Sequence, residues 1–140
     1  MSKAIHVVVG VIYNHEQKIL VALRPAHKSQ GGLWEFPGGK VEANETAEQA
    51  LKRELLEEVG IEVQLALPLK QCHYDYEQYQ VWLDVWEVLQ FQGSAHGREG
   101  QPIAWVTVEE LQQLPVLSAN HPIVAAVCAK IRCHASHSAK

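Results

Sequence analysis

The chain has 140 residues, with 12 lysines and arginines against 16 aspartates and glutamates, and a formal net charge of −4 at pH 7. This length suits one domain over residues 1–140, with a loose tail from about residue 135, that buries about two-thirds of its unfolded surface. The acidic balance excludes the basic surface that binds nucleic-acid polymers, and no apolar run reaches the roughly 18 residues of a membrane span. Because the 3 cysteines lack a CxxC spacing, we expect reduced thiols and a cytoplasmic protein without a signal peptide.

Strand-like runs open the chain. Residues 5–13 form an apolar, β-branched run that predicts a buried strand, and residues 18–23 return after a turn as its hairpin partner. Later runs of the same kind predict four more strands, at residues 62–67, 72–76, 81–89 and 103–106.

Three helices are predicted among and after these strands. Apolar residues recur at helical spacing over residues 47–59 and 108–114, and over a last helix at about residues 120–133, which Asn120 would cap. Strands mixed with substantial helices predict an α/β fold, in which a mixed sheet carries helices on both faces.

The helix predicted at residues 47–59 carries its negative charge in an unusual place. At 3.6 residues per turn, Glu54 and Glu58 project onto the apolar side that holds Leu55, and Glu57 lies at its edge. Like charges at this spacing repel each other, and carboxylates in the last turns oppose the helix dipole. This arrangement calls for a cation. Carboxylate oxygens suit Mg²⁺, with Mn²⁺ as a substitute, and Mg²⁺ commonly shares its coordination with substrate phosphates.

The flanks of this helix carry the expected end signals. Thr46 and Gln49 form a capping-box pattern, and Gly60 is placed to end the helix. Before it, residues 35–39 predict a loop whose two glycines let the backbone approach a ligand or a neighbouring helix closely.

This stretch resembles the Nudix box, G-x5-E-x7-R-E-U-x-E-E-x-G-U with U aliphatic, at every fixed position. The matching residues are Gly39, Glu45, Arg53, Glu54, Leu55, Glu57, Glu58, Gly60 and Ile61. The resemblance extends from about residue 5 to residue 133 and is greatest to the MutT branch of the family. It implies a Nudix-type α/β/α sandwich with a mixed sheet.

The resemblance also implies a metal site. Carried over by position, Glu54, Glu57 and Glu58 would hold Mg²⁺, with the Gly39 carbonyl as a further ligand. Glu99, in the segment GREGQP, matches a loop glutamate that joins this site or acts as general base. From its local sequence alone, Glu99 is an ordinary surface glutamate. The base stays open among Glu54, Glu57 and Glu99.

Other roles carried over are structural or concern the nucleoside. Glu45 and Arg53 would pair and orient the helix, while Arg24, Phe36 and Asn120 match residues of the nucleoside pocket. Without the resemblance, Arg24 would be interpreted as a solvated surface arginine. The Asn120 amide offers an acceptor and two donors, so it can donate to O6 of 8-oxoguanine and accept from its N7–H. Plain guanine has no hydrogen on N7.

Two segments depart from the MutT pattern. Gln78 and Tyr79 stand where that branch has an Asp-Arg pair, which leaves a contact from this turn to the phosphate or base in question. The loop at residues 26–32 also differs, which could change how the pocket closes.

The resemblance implies Mg²⁺-dependent hydrolysis of 8-oxo-dGTP to 8-oxo-dGMP and pyrophosphate, a nucleotide-pool sanitation that protects DNA replication. The expected partner is a small-molecule nucleoside triphosphate, with no nucleic-acid polymer and no membrane, and a monomer is expected. Two alternatives stay open: a pyrophosphohydrolase for pyrimidine or modified-cytidine triphosphates, and a non-catalytic nucleotide-sensing Nudix domain. Asn120 in place of Asp, and Pro37 in the FPGG loop, favour the oxidised guanine nucleotide.

Overall fold

The computed structural model describes residues 3–28, 31–75 and 79–138, with side chains for residues 4–28, 31–75 and 79–130. Over these ranges the strands are β1 Lys3–Ile12, β2 Ile19–Leu23, β3 Trp34–Glu35, β4 Gly38–Lys40, β5 Glu62–Asp75, β6 Tyr79–Gln92 and β7 Ile103–Val106. The helices are α1 Ala47–Val59, α2 Val108–Gln113 and α3 His121–Ser138, and a 3₁₀ turn at Ser118–Asn120 precedes α3.

The strands form two sheets. The larger sheet is mixed, with the order β4-β1-β6-β5, and the smaller one is antiparallel, with the order β3-β2-β7. In the larger sheet β1 lies parallel to β6 along its whole length, from Lys3 opposite Tyr79 to Ile12 opposite Val88. The neighbours β4 and β5 are antiparallel to β1 and β6 respectively.

The side chains of β1 alternate between the two faces of the sheet and contribute to two hydrophobic layers. Val8 and Ile12 pack on the side that α1 covers, whereas Val9 and Val11 pack on the opposite side with apolar residues of α3. Successive side chains of a strand point to opposite faces, so one buried strand can serve both layers. The expected α/β architecture, with helices on both faces of a mixed sheet, is confirmed.

The predicted hairpin between β1 and β2 forms only at its turn. The two segments pair as antiparallel strands at an isolated bridge between Tyr13 and Ile19, beside a 3.0 Å hydrogen bond from Asn14 N to the Lys18 carbonyl, but β2 belongs to the smaller sheet. The reason is that β6 and β4 occupy the two sides of β1, which leaves β2 to pair with β3 and β7. A partner so distant in sequence leaves no local signal in the turn.

Two other strand predictions also need correction. The segments 62–67 and 72–76 belong to one strand, β5, whose register shifts around Pro68 explain the broken pattern; Tyr76 lies outside the described residues. The predicted loop at residues 35–39 contributes to two short strands, β3 and β4.

The last helix extends beyond its predicted C-terminal end. Asn120, the predicted N-cap, is the last residue of the 3₁₀ turn and directly precedes α3, whose backbone continues to Ser138 through most of the segment predicted as a loose tail. The buried residues Ile123 and Val127 belong to the predicted packed stripe. Among the described residues, no helix combines the length and hydropathy that crossing a membrane requires.

Candidate active site

Helix α1 carries the predicted acidic cluster, and both of its ends form as expected. Thr46 and Gln49 make the reciprocal capping box, with Gln49 N donating to Thr46 Oγ1 over 3.1 Å and Thr46 N donating to Gln49 Oε1 over 2.8 Å. Gly60 ends the helix in the left-handed region, at φ 72°, which favours a residue without Cβ. The sequence therefore fixes where the helix begins and ends.

The buried stripe of α1 determines where its glutamates point. Leu51, Leu55 and Val59 are fully buried against the sheet. The side chain of Glu54 is only 19% exposed, whereas that of Glu57 is 62% exposed. Two carboxylates, those of Glu54 and Glu58, are therefore partly withdrawn from water, as the helical periodicity predicts.

Arg53 joins this cluster to the loop before the helix. Its guanidinium makes a fork to Glu45, with Nε 2.7 Å from Oε2 and Nη2 2.9 Å from Oε1. It also donates from Nη1 to Glu54 Oε1 over 2.8 Å and from Nη2 to the Lys40 carbonyl over 3.0 Å. The hydrogen bonds to Arg53 lower the pKa of Glu45 to about 2. Arg53 thus holds one carboxylate of the helix, the loop glutamate and the end of β4 together.

The partly buried glutamates have perturbed acidities. Burial raises the pKa of Glu58 to about 8, against a smaller opposing effect of its hydrogen bond from Gly38 N. The negative charges of Glu35, Glu99 and Glu54 raise it further. Burial likewise raises the pKa of Glu54, although Arg53 opposes that change. Several carboxylates therefore share a region where a second positive charge would be strongly favoured.

Four predicted carboxylates line one open cavity of about 480 Å³, which we call the acidic cavity. They are Glu54, Glu57, Glu58 and Glu99. Positive side chains, Arg24 and Lys28, line the same cavity. Carboxylates and cations at one cavity form a setting suited to a metal ion together with an anionic ligand.

The carboxylate oxygens are chemically suited to Mg²⁺, which prefers hard oxygen ligands. Among the described residues, no three His, Cys, Asp or Glu side chains gather closely enough to form a metal site without movement. Two of these carboxylates accept hydrogen bonds from the protein: Glu54 accepts from Arg53, and Glu58 accepts from Gly38 N. The donor chemistry of the acidic cavity therefore fits the ion.

A second cavity of about 370 Å³, the apolar pocket, adjoins the acidic cavity. Its apolar lining comes mainly from β1 and β6, including Val7, Val9, Val81 and Leu83. At its polar side, Phe36 N donates to Asn120 Oδ1 over 3.1 Å, and the Asn120 side chain is buried. Because a backbone N–H can only donate, this bond fixes the orientation of the Asn120 amide.

Four residues line both cavities: Arg24, Glu35, Phe36 and Gly38. Arg24 Nη1 lies 3.4 Å from Glu35 Oε1, and burial raises the pKa of Glu35, although Arg24 opposes that change. All of the candidate residues except Glu45 and Arg53 thus line one or both of these cavities. Gly39 lines the apolar pocket beside Gly38.

Sequence reasoning missed Glu35. The sequence feature that could have indicated Glu35 as a site residue is its position in LWEF, between two aromatic residues just before the glycine loop. Of the two residues that depart from the MutT pattern, Tyr79 lines the apolar pocket, whereas Gln78 lies outside the described residues. Residues 29 and 30 of the divergent loop also lie outside the described residues.

Comparison with known proteins agrees with this geometry. The sequence model of the NUDIX domain family matches residues 8–126 of this chain. The chain is 40% identical to the CTP pyrophosphohydrolase of Escherichia coli (strain K12) over 122 residues, covering 87% of this chain and 90% of the relative. It is 37% identical to the 8-oxo-dGTP diphosphatase of the same organism over 123 residues, covering 88% of this chain and 95% of the relative.

Solved structures show the same similarity. One comes from a study of MutT from Aliivibrio salmonicida and Vibrio cholerae, with a TM-score of 0.81 and 45% identity over 91% of this chain and 99% of that one. The solution structure of the E. coli ORF135 protein has a TM-score of 0.82 and 40% identity, covering 91% of each chain. The protein therefore belongs to the Nudix hydrolase family and is of its MutT type.

Proposed function

We propose that this protein is a Mg²⁺-dependent pyrophosphohydrolase that converts 8-oxo-dGTP to 8-oxo-dGMP and pyrophosphate. The observation that carries the proposal is the adjacency of the two cavities, which meet at Arg24, Glu35, Phe36 and Gly38. An apolar pocket suits a base, and an acidic cavity with cations beside it suits a metal-bound triphosphate. Acting as a monomer on free nucleotides in the cytoplasm, the enzyme would remove an oxidised precursor before DNA synthesis uses it.

Residues that line the acidic cavity would bind the metal ion that acts on the phosphates. Glu54, Glu57 and Glu58 would hold Mg²⁺, for which Mn²⁺ could substitute, with the Gly39 carbonyl and Glu99 as further ligands. When bound, the ion would neutralise charge on phosphate oxygens and increase the acidity of water.

Side chains of the protein would orient the phosphates and take up the proton. Lys28 lines the same cavity and would bind phosphate oxygens, while Arg24, which lines both cavities, would contact the nucleoside. A carboxylate would accept the proton of the attacking water, with Glu54, Glu57 and Glu99 as the candidates. Arg53 already donates to Glu54 over 2.8 Å, which holds that carboxylate in place and opposes the increase in its pKa that burial causes.

Asn120 would recognise the base through hydrogen bonds of its side-chain amide. Its Oδ1 accepts from Phe36 N, and an amide oxygen has a second lone pair that can accept from N7–H of 8-oxoguanine. Its amide nitrogen would donate to O6. With unmodified guanine, Oδ1 would face the N7 acceptor and lose this bond in a buried site, an effect that can discriminate between substrates by about 10⁴-fold.

A second candidate is supported by the 40% identity to a relative named CTP pyrophosphohydrolase. A pyrimidine or modified-cytidine triphosphate would use the same acidic cavity but present a smaller base to the apolar pocket. A non-catalytic nucleotide-sensing domain is the third possibility, against which every glutamate of the Nudix box is present.

Pyrophosphate release in the presence of Mg²⁺ tests all three functions. We expect 8-oxo-dGTP to give the highest kcat/KM in a panel that also contains dGTP, dATP, dTTP, dCTP, CTP and 5-substituted dCTP. Highest activity on a cytidine nucleotide would support the second function. Nucleotide binding without release of pyrophosphate from any member would support the third.

The two neighbouring glycines of β4 provide a further test. A Cβ at Gly39 would lie 2.3 Å from Glu54 Cδ, whereas a Cβ at Gly38 would lie 2.1 Å from the Val8 carbonyl oxygen. We expect Gly39→Ala to displace the movable Glu54 carboxylate and to lower kcat/KM by roughly 10²-fold, the usual cost of a misplaced catalytic group. Its melting temperature should change little.

Gly38→Ala is the matched control, because backbone in a strand pair cannot move aside. We expect this variant to lose about 1–3 kcal/mol of stability through overpacking. Thermal unfolding and steady-state kinetics of both variants separate the two effects. Unchanged kcat/KM in Gly39→Ala would contradict a catalytic position for Glu54.

A further inference from the structure

The loop after β6, residues 93–102, folds back onto the C-terminal end of α1. A helix leaves its last four carbonyls without partners inside the helix. Here His96 N donates to the Val59 carbonyl over 3.0 Å, and Arg98 N donates to the Glu58 carbonyl over 3.1 Å. The loop thus supplies, from a distant part of the chain, donors that complete the end of the acidic helix.

The side chain of Arg98 adds a charged contact at the same end. Its Nη1 donates to the Leu56 carbonyl over 3.1 Å. Within α1, all of which the structure describes, the last turn carries no basic residue. A cation at a helix C-terminus is favoured by the helix dipole. Arg98 therefore provides the favourable charge that the helix lacks in its own sequence.

Gln101 connects the loop and the helix through both ends of its amide. Its Nε2 donates to the Glu58 carbonyl over 3.0 Å, while its Oε1 accepts from Glu99 N over 2.9 Å. One side chain thereby joins the backbone of Glu99 to the backbone of Glu58. The turn between Gly97 and Gly100, closed by a 3.0 Å hydrogen bond, holds Glu99 between these two anchors.

We infer that Gln101 and Arg98 are positioning residues that hold Glu99 against the glutamates of α1, so that the acidic cavity is assembled from both segments. The inference rests on the proposed function, and specifically on Glu99 as one of the metal ligands. Glu99 itself is exposed, so packing does not fix it. Its position depends on the hydrogen bonds of its neighbours.

A double-mutant cycle on Gln101 and Glu99 tests the inference. We expect Gln101→Ala to lower kcat/KM about 10-fold, as the loss of a residue that orients a metal ligand does. Glu99→Gln should have a larger effect, about 10²-fold. If Gln101 acts through Glu99, the double variant should equal Glu99→Gln within about twofold, because coupled residues are not additive.

Mn²⁺ binding to the nucleotide-free protein, measured by electron paramagnetic resonance, gives a second readout of the same cycle. The affinity for Mn²⁺ should be lower in Gln101→Ala than in the wild type. Adding Gln101→Ala to Glu99→Gln should lower it no further. Arg98→Ala should weaken Mn²⁺ binding, and Arg98→Lys should recover most of it by keeping a cation at the helix end. Circular dichroism melts of each variant identify any that fail to fold.

The outcomes distinguish this inference from the proposed function. Fully additive losses in a wild-type enzyme that hydrolyses nucleoside triphosphates would overturn the positioning role and leave the function intact. Absence of hydrolysis by the wild type would overturn the function, while the Mn²⁺ cycle would still report on the link between Gln101 and Glu99. Unchanged Mn²⁺ affinity in Gln101→Ala would overturn the inference in either case.

Discussion

Glu58→Gln is expected to lower kcat/KM by about 10²- to 10³-fold, the range found when one preorganised electrostatic contact is lost, and yet to stabilise the metal-free protein at alkaline pH. The gain in stability comes from the burial of one carboxylate beside Glu35, Glu99 and Glu54, which raises the pKa of Glu58 to about 8. Glutamine has nearly the same shape and can still accept from Gly38 N, so the fold should be retained. It cannot carry the charge that a metal ion needs.

The sign of the stability change follows from linkage. The pKa of Glu58 rises from an ordinary 4.5 in the unfolded chain to about 8 in the folded protein. The folded state therefore holds this proton more tightly, and the resulting stability is fully present below about pH 4.5. It is lost as the pH rises through about 8. Glu58→Gln has no such proton to lose, so its advantage over the wild type should grow up to about pH 9.

Mg²⁺ should reverse the order of stability. The ion binds the deprotonated carboxylate, so its affinity for the wild type should rise with pH toward 8 and its binding should release protons. Bound Mg²⁺ should then stabilise the wild type more than the variant. Denaturant unfolding at pH 5, 7 and 9, with Mg²⁺ and with a chelator, measures the free energy of unfolding in each state.

Glu57→Gln is the matched control for this experiment. The Glu57 side chain is 62% exposed on the same helix, so its replacement should reduce activity without stabilising the metal-free protein at pH 9. Equal stability of Glu58→Gln and wild type at pH 9 would show that burial of the Glu58 carboxylate is not costly. Wild-type activity in Glu58→Gln would remove it from the proposed metal site.

Local sequence patterns predicted the parts of the site that lie on one element. The helical repeat of Leu51, Leu55 and Val59 determines which way Glu54 and Glu58 point, and the signals at Thr46 and Gly60 set the ends of the helix. These features depend on residues at most four positions apart, so a periodic pattern is enough to reveal them.

Features made by distant segments were not predictable in the same way. The bond from Phe36 N to Asn120 Oδ1 joins residues 84 positions apart, and that from Gln101 Nε2 to the Glu58 carbonyl joins residues 43 apart. Neither leaves a periodic pattern in the sequence. The pairing of β2 with β7 has the same origin, because the sheet order determines it and the local turn does not.

Asn120→Ala is expected to abolish most of the preference for 8-oxo-dGTP over dGTP. In the proposed binding mode the wild-type amide satisfies O6 and N7–H of 8-oxoguanine together and leaves Oδ1 facing an acceptor in plain guanine, which can be worth about 10⁴-fold. Alanine removes both contacts, so the ratio of the two kcat/KM values should fall by at least 10²-fold, or roughly 3 kcal/mol. An unchanged ratio would refute this role for Asn120.

Asn120→Asp separates base recognition from the structural bond to Phe36. The Asn120 side chain is buried and its Oδ1 accepts from Phe36 N over 3.1 Å, so alanine should also lose about 1–3 kcal/mol of stability through the unpaired N–H. The aspartate variant can keep the hydrogen bond from Phe36 N through one carboxylate oxygen. Its other oxygen places an acceptor where the Asn120 amide nitrogen was a donor. Because this carboxylate is buried, its charge should cost stability that returns as the pH falls, and the variant should bind O6 poorly, with a lower kcat/KM for both guanine nucleotides. A cytosine amino group could donate to the new oxygen, so activity on dCTP should rise relative to dGTP. A falling dCTP-to-dGTP ratio would place the base elsewhere in the apolar pocket.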